Sequence, residues 1–189
     1  MSADVDIDTN SAAVESNTAS TKDLPQILVR YGVIPVVARC VVDQAESSFR
    51  RGQKLVIETT RGIESADFLQ TLSAAELKDD VSAKLLRVAT DGDLETHREI
   101  RSRAAAAFND WVERITKWKL ELELIDLEWT LDEQKVILYV LNSRGADTTK
   151  LAIQATAAGL GVIEVQPVDA NGMVEAPPSG GGGCGSCSH

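Results

Sequence analysis

Three residues near the C-terminus have the types and spacing of metal ligands. Cys184 and Cys187 form a C-x-x-C pair, and His189 follows two residues later. Two thiolates and one imidazole can hold zinc or iron, but a structural zinc site takes four ligands. The fourth would come from Cys40, a second copy of the tail, a partner or solvent. The alternatives are a redox dithiol and an exposed Gly-rich tail without special chemistry. The residues therefore allow zinc or an iron–sulfur cluster as cofactor and leave all three interpretations open.

A second group of residues could bind phosphate or an acidic partner. Arg50, Arg51, Lys54 and Arg61 lie at the two predicted turns that flank one strand, so their side chains could converge on one rim of a sheet. Basic turn residues are more commonly solvated, and no aromatic stacking residues are interleaved with these four. A solvated rim is thus the simpler interpretation.

Composition limits the classes of partner. The 189 residues are 43% hydrophobic and 25% charged, with a formal net charge of −10. A chain this acidic is poorly suited to extensive electrostatic binding of nucleic-acid backbones, which depends on Lys and Arg. Local basic patches are compatible with this charge. Residues 1–24 are acidic and polar, so we expect a disordered tail with no secretory signal. No run of 18 apolar residues occurs, and we expect a cytoplasmic protein that does not enter a membrane.

The first half of the chain is rich in predicted strands. Two short strands are expected between residues 26 and 43, a hairpin at residues 55–60 and 63–69, and a fifth strand at residues 85–89. Short strands without helical periodicity between them are typical of a small sheet or partial barrel. We assign residues 25–90 to this β-rich half.

The second half alternates helices and strands. A long helix is predicted from Asp91 to Lys117, capped by Thr90, and its apolar stripe should bury Trp111 and Trp118. Two strands at residues 122–130 and 135–142 follow, with a bulge at Leu124-Ile125 or a first strand that starts only at Leu124. Asp147 or Thr148 is predicted to cap a short helix that ends at about Ala158, before a last strand at residues 162–165. The predicted fold class is α+β: a small β-rich N-terminal sheet or partial barrel, then a two-layer α+β unit at residues 91–169 with one long and one short helix. Residues 170–189 are predicted to be a flexible tail.

Single residues on the long helix receive simple interpretations. His97 lies at the edge of the apolar stripe, where a packed or surface histidine is expected more often than a metal ligand or a general base. Arginines alternate with glutamates on the neighbouring face, which is typical of a solvated helix surface. These residues are Glu95, Arg98, Glu99, Arg101 and Arg103.

Three segments resemble the PSP1 C-terminal domain family. Residues 56–64 read VIETTRGIE, residues 86–93 read LRVATDGD, and residues 124–132 read LIDLEWTLD. They are similar to the family patterns VVET-x-RG-x-E, IIRKAT-x-x-D and LVDVEYTFD. The resemblance implies a bacterial regulatory protein without catalytic activity, acting in protein complexes linked to RNA processing. In the bacterial relatives a cysteine-rich segment typically follows the domain; here the pair Cys184 and Cys187 stands in its place.

Two functions from different classes follow. The first is a non-enzymatic regulator or adaptor that binds other proteins, contacts RNA indirectly or weakly and is able to form homo-oligomers. The second is a metal- or redox-responsive protein that uses the tail ligands Cys184, Cys187 and His189. Hydrolase or nuclease activity is the least favoured, because no cluster of acidic residues indicates two-metal chemistry.

Overall fold

The computed structural model describes residues 24–43, 48–141 and 145–174. Five strands and a short 3-10 helix, Ala74–Glu76, precede the first α-helix. The strands and α-helices follow one another in the order of an α+β protein. They are β1 Gln26–Tyr31, β2 Val36–Val41, β3 Lys54–Thr59, β4 Gly62–Thr71, β5 Ala83–Val88, α1 Asp91–Lys117, β6 Glu123–Trp129, β7 Lys135–Leu141, α2 Ala146–Ala157, β8 Val162–Asp169 and β9 Gly172–Met173.

The first five strands close into a barrel in the order β1-β2-β5-β3-β4. Alternate residues of β4 are buried, as expected for a strand with one face toward a core. Strand β5 closes the barrel by pairing antiparallel with β3 and, through two residue pairs, parallel with β2. The predicted sheet is therefore a complete barrel. Its core contains Ile27, Val29, Tyr31, Ala38, Cys40, Val42, Leu55, Ile57, Ala66, Phe68 and Ala83.

Helix α1 starts with a reciprocal cap. The Thr90 hydroxyl accepts a hydrogen bond from the Asp93 backbone N–H at 3.3 Å, and the Asp93 carboxylate accepts one from the Thr90 N–H at 2.7 Å. Arg87 also pairs with Asp93, and the hydrogen bonds from Arg87 and Thr90 hold the pKa of that carboxyl well below its usual range. The buried residues Ile100, Ala104, Trp111 and Ile115 follow helical spacing, so this face packs on the second sheet.

Strand β7 is the centre of the second sheet, whose order is β6-β7-β8-β9. Val136, Leu138 and Val140 belong to one core cluster with buried residues of α1 and α2. Ile137 and Tyr139 point to the opposite face and pack with residues of the β1–β2 turn. The strand is thus buried on both faces, between the helices and the barrel.

The α+β fold, the long helix and the bulge in β6 confirm the predictions from sequence. The short helix begins at Ala146, after Gly145, and not at a cap on Asp147 or Thr148. The Asp147 carboxylate accepts from the Glu121 N–H at 2.9 Å, and the Thr148 hydroxyl donates to the Gly145 carbonyl at 2.7 Å. Both side chains are therefore engaged in other contacts. Strand β8 is longer than predicted, and β9 was not predicted.

Among the described residues, no helix has the length and apolar character needed to cross a membrane. The predicted tails at residues 1–24 and 170–189 fall largely outside the described residues.

Candidate functional site

Arg61 joins the barrel to the second sheet. It lies in the β3–β4 turn with a side chain that is 9% exposed. Its Nη1 donates to the Tyr139 hydroxyl at 2.9 Å, its Nη2 pairs with Glu128, and its Nε lies 2.9 Å from Glu64 Oε1. The guanidinium also lies 5.4 Å from the centre of the Tyr31 ring. We call Arg61, Glu64, Glu128 and Tyr139 the junction network.

Backbone groups complete the junction. Glu128 Oε2 accepts a hydrogen bond from the Val33 N–H at 2.9 Å, and the Leu131 N–H donates to the Ile63 carbonyl at 2.7 Å. Gly32 has φ +80°, and a Cβ placed on it would lie 3.3 Å from Glu128 Oε1. The turns of the barrel are therefore fitted to the β6–β7 hairpin at atomic contact distance.

The charges of the junction network do not balance. One guanidinium faces two buried carboxylates, and a buried charge is costly unless it is fully paired. Burial, together with the neighbouring Glu128, raises the pKa of Glu64 to about 7 despite the opposing effect of Arg61. Burial disfavours the charged form of Arg61, but Glu64, Tyr139 and Glu128 more than compensate and raise its pKa. Burial likewise raises the pKa of Tyr139.

A polar cleft of about 210 Å³ opens beside the junction network, between the barrel and helix α1. Glu64 and Glu128 line it together with residues of β1, β3, β4, α1 and β6. A cleft that carries several charged groups from different elements is a natural candidate for a binding site. The lining residues are Arg30, Tyr31, Gly32, Val33, Lys54, Glu64, Ser65, Asp67, His97, Ile100, Arg101, Glu128, Trp129 and Leu131.

The basic side chains of the cleft differ in how firmly they are paired. The Asp67 carboxylate accepts hydrogen bonds from Arg30 Nη2 at 3.2 Å and from Lys54 Nζ at 2.7 Å. These hydrogen bonds lower the pKa of Asp67 despite its partial burial. Arg101 lies 3.9 Å from Asp126, a long separation for an ion pair. Burial, followed by the charges of Lys54 and Arg101, lowers the pKa of His97.

The four basic residues singled out from the sequence do not form one rim. Arg50 and Arg51 are exposed in the segment before β3, and Lys54 lines the cleft. The expectation that Arg61 shares an exposed rim with them is wrong, because its guanidinium is held in the junction network. Whether any of the four binds phosphate or an acidic partner stays a prediction.

The predicted metal ligands Cys184, Cys187 and His189 lie outside the described residues. Cys40 does not offer them a fourth ligand, because its side chain is fully buried in the barrel and burial raises its thiol pKa to about 12. Within residues 24–43, 48–141 and 145–174, no group of three or more His, Cys, Asp or Glu is arranged to hold a metal ion.

Sequence reasoning missed the partners of Arg61. Glu64 ends the pattern RG-x-E, but Glu128 shares β6 with Glu123 and Asp126, so the sequence did not distinguish the buried carboxylate from its more exposed neighbours. The solvated-face interpretation of α1 was also incomplete. Arg103 pairs with Glu133 at 2.6 Å and stacks over the Trp129 ring at 4.7 Å, so it reaches the second sheet.

One model of a known protein family matches part of the chain. Residues 83–152 match the PSP1 C-terminal conserved region. We call these residues the PSP1 region. It runs from β5 through α1, β6 and β7 into α2, and supplies Glu128, Tyr139, His97 and Arg101.

A curated protein also resembles the chain. It is the stage 0 sporulation protein YaaT of Bacillus subtilis strain 168, which is 32% identical over 87 residues, or 45% of this chain. The match covers 32% of YaaT, so the chain spans about a third of the length of this relative. No solved structure matches the chain significantly.

The contact between the PSP1 region and the barrel can be tested at Gly32. Gly32 and Gly52 have nearly equal φ angles, +80° and +81°. A Cβ on Gly32 would lie 3.2 Å from the Ile34 carbonyl oxygen of its own turn, 3.3 Å from Glu128 Oε1 and 3.4 Å from Arg61 Nη1, whereas a Cβ on Gly52 would meet nothing within 4 Å. Both alanine variants carry backbone strain of about 1 kcal/mol or more. We expect Gly32→Ala to lose at least about 1 kcal/mol more unfolding free energy than Gly52→Ala, measured by urea denaturation. Equal losses would contradict the tight fit.

The raised pKa of Glu64 predicts a specific pH dependence of stability. Between pH 4.5 and 7 the folded state keeps a proton that the unfolded state releases, so the free energy of unfolding falls as pH rises. A shift from 4.5 to about 7 corresponds to up to about 3 kcal/mol. The unfolding free energy of the wild type should fall relative to that of Glu64→Gln as pH rises from 4.5 to 7. The contributions of the other titrating groups cancel in this difference, which urea denaturation at each pH measures. The exposed control Glu58→Gln should behave as wild type. Parallel curves of unfolding free energy against pH for wild type and Glu64→Gln would refute the raised pKa of Glu64.

Proposed function

We propose that the protein is a non-catalytic regulator or adaptor of the PSP1 type, acting in the cytoplasm through protein complexes linked to RNA processing. The family of residues 83–152 and the similarity to a sporulation protein support a regulatory role. The carboxylates of the junction network are held by Arg61 and Tyr139, an arrangement that favours structural over acid–base roles.

The observation that carries this proposal is the exposed apolar surface of the PSP1 region. Leu86, Val88, Val112, Ile125 and Leu141 are each at least 39% exposed. Val112 also lines an apolar groove of about 290 Å³ between α1 and β6, together with Phe108, Leu122 and Leu124. Leu86 and Val88 line a separate cleft on the barrel, so the proposal relies on the groove at Val112. An exposed apolar side chain beside an apolar groove is typical of protein contacts. The outer edge of β6 is free of strand partners among the described residues, which adds backbone groups to the same surface.

The experiment uses the full chain as bait to capture proteins from a lysate of the organism that encodes it. Three baits are compared: wild type, Val112→Glu and Ile153→Glu. Both variants place a carboxylate on an exposed helical position, but Ile153 lies outside the PSP1 match. We expect one reproducible set of proteins to bind wild type and Ile153→Glu and to be depleted at least about tenfold by Val112→Glu.

Ribonuclease treatment before capture separates direct from RNA-mediated association. The same proteins should remain bound, since the chain is acidic overall and we propose no more than weak RNA contact. Identical capture by all three proteins, or a set that vanishes with ribonuclease, would count against the adaptor proposal.

A second candidate function, a metal- or redox-responsive protein, is favoured by the Cys184, Cys187 and His189 spacing. Protein purified without oxygen should contain zinc, or iron with acid-labile sulfide. The metal should be lost in the Cys184→Ser, Cys187→Ser double variant, because two of its ligands are removed. Cys40→Ala is the control and should keep the metal, since Cys40 is buried in the barrel. No metal in any of the proteins would rule out the metal-binding form of this second function.

A further inference from the structure

The cleft beside the junction network collects basic side chains from three separate elements. Arg30 comes from β1, Lys54 from β3, and His97 and Arg101 from one face of α1, four residues apart. None of them belongs to the junction network. They are brought together by the packing of the barrel against the PSP1 region.

Each carboxylate that lines the cleft already has a basic partner. Glu64 and Glu128 are engaged by Arg61, and Glu128 also accepts from Tyr139 and the Val33 N–H. Asp67 has two basic partners.

Lys54 and Arg101 keep exposed side chains in the cleft. Their exposed fractions are 41% and 40%, so both can reach a ligand from solvent. Arg101 is held by a carbonyl of Leu127 at 3.4 Å and by its long contact with Asp126. Neither contact uses its full set of donors.

Two cations lie among the charged groups nearest His97. Burial lowers the pKa of its imidazole most, the charges of Lys54 and Arg101 lower it further, and Glu128 and Asp67 oppose them. The half-buried imidazole is thus grouped with Lys54 and Arg101. An anion placed between these three side chains would be attracted, and its charge would favour the protonated imidazole.

The size of the cleft limits the ligand. About 210 Å³ corresponds to roughly seven water volumes, which accommodates one phosphoryl group with a short substituent. Tyr31, Trp129 and Leu131 offer apolar surface for that substituent. The formal net charge of −10 disfavours an extended polynucleotide as the ligand.

We propose that this cleft binds a phosphate monoester through Lys54, His97 and Arg101. The guanidinium and ammonium groups donate charge-assisted hydrogen bonds to the phosphoryl oxygens, and the imidazolium donates a third. The monoester belongs either to a free metabolite or to a phosphorylated side chain. This site is independent of the proposed adaptor function, because its evidence lies in the cleft and not in the exposed apolar surface.

The test uses the imidazole resonances of the full chain with His189→Gln, which leaves His97 as the single histidine. Inorganic phosphate, glycerol 3-phosphate and a blocked phosphoserine are titrated at constant ionic strength, with chloride as the reference. We expect a saturable shift of the His97 resonances and a rise of its pKa with a phosphate probe but not with chloride.

Two matched pairs of variants locate the site. Arg101→Gln should weaken binding at least about tenfold, whereas Arg98→Gln on the same helix should not. Lys54→Gln should weaken it similarly, whereas Lys84→Gln should not. Lys84 is a suitable control because it is a barrel lysine paired with one aspartate and absent from the cleft lining. Circular dichroism and urea midpoints establish that each variant is folded.

The probes also distinguish the two possible sources of the phosphate monoester. Tighter binding of blocked phosphoserine identifies a phosphorylated partner side chain, and tighter binding of glycerol 3-phosphate identifies a metabolite. A response that does not saturate, that chloride reproduces, or that Arg98→Gln and Arg101→Gln change equally would overturn the proposal.

Discussion

The fold depends on one buried guanidinium. Arg61 occupies the turn of a barrel hairpin, yet its partners Glu128 and Tyr139 lie on two adjacent strands of the other sheet. Removing water from such a group is expensive, and removing one partner from a buried pair typically costs about 3–5 kcal/mol. The interaction therefore specifies how the two halves meet more than it adds stability. A hydrophobic contact of equal area would tolerate sliding, whereas the bonds of Arg61 require fixed positions.

This constraint connects the family resemblance to the architecture. The segment containing Arg61 and Glu64 and the segment containing Glu128 both resemble PSP1 patterns, and they meet in the junction network. The matched region begins at residue 83, so the turn with Arg61 comes from outside it. Glu128 and Tyr139 of the PSP1 region therefore bind a side chain from the β3–β4 turn of the barrel, which lies outside that region. The cleft has the same dual origin, since Lys54 and His97 come from opposite sides of the contact.

Local signals were sufficient for much of the fold. Thr90 and Asp93 define the start of α1 through contacts three residues apart, and the hairpin around Arg61 follows from strand patterns on either side of Gly62. Short-range patterns did not reveal the site, because Arg61 and Tyr139 are distant in sequence and meet only through the assembled fold. A turn arginine is usually solvated, so burial of this one reverses the ordinary expectation. The predicted cap of α2 was wrong for a related reason. The Asp147 carboxylate accepts a hydrogen bond from the Glu121 backbone N–H, a tertiary contact that the local sequence does not reveal.

The closure of the barrel has a consequence for its motions. Strands β2 and β5 are joined by two residue pairs, Cys40 with Ala83 and Val41 with Lys84, while β3 holds the other side of β5 through five. A seam this short contributes few hydrogen bonds to hold the two strands together. We therefore expect transient local opening of the barrel at this seam, and β5 leads directly into α1. Opening there would reach the start of the helix that carries His97 and Arg101 without breaking the contacts of Arg61.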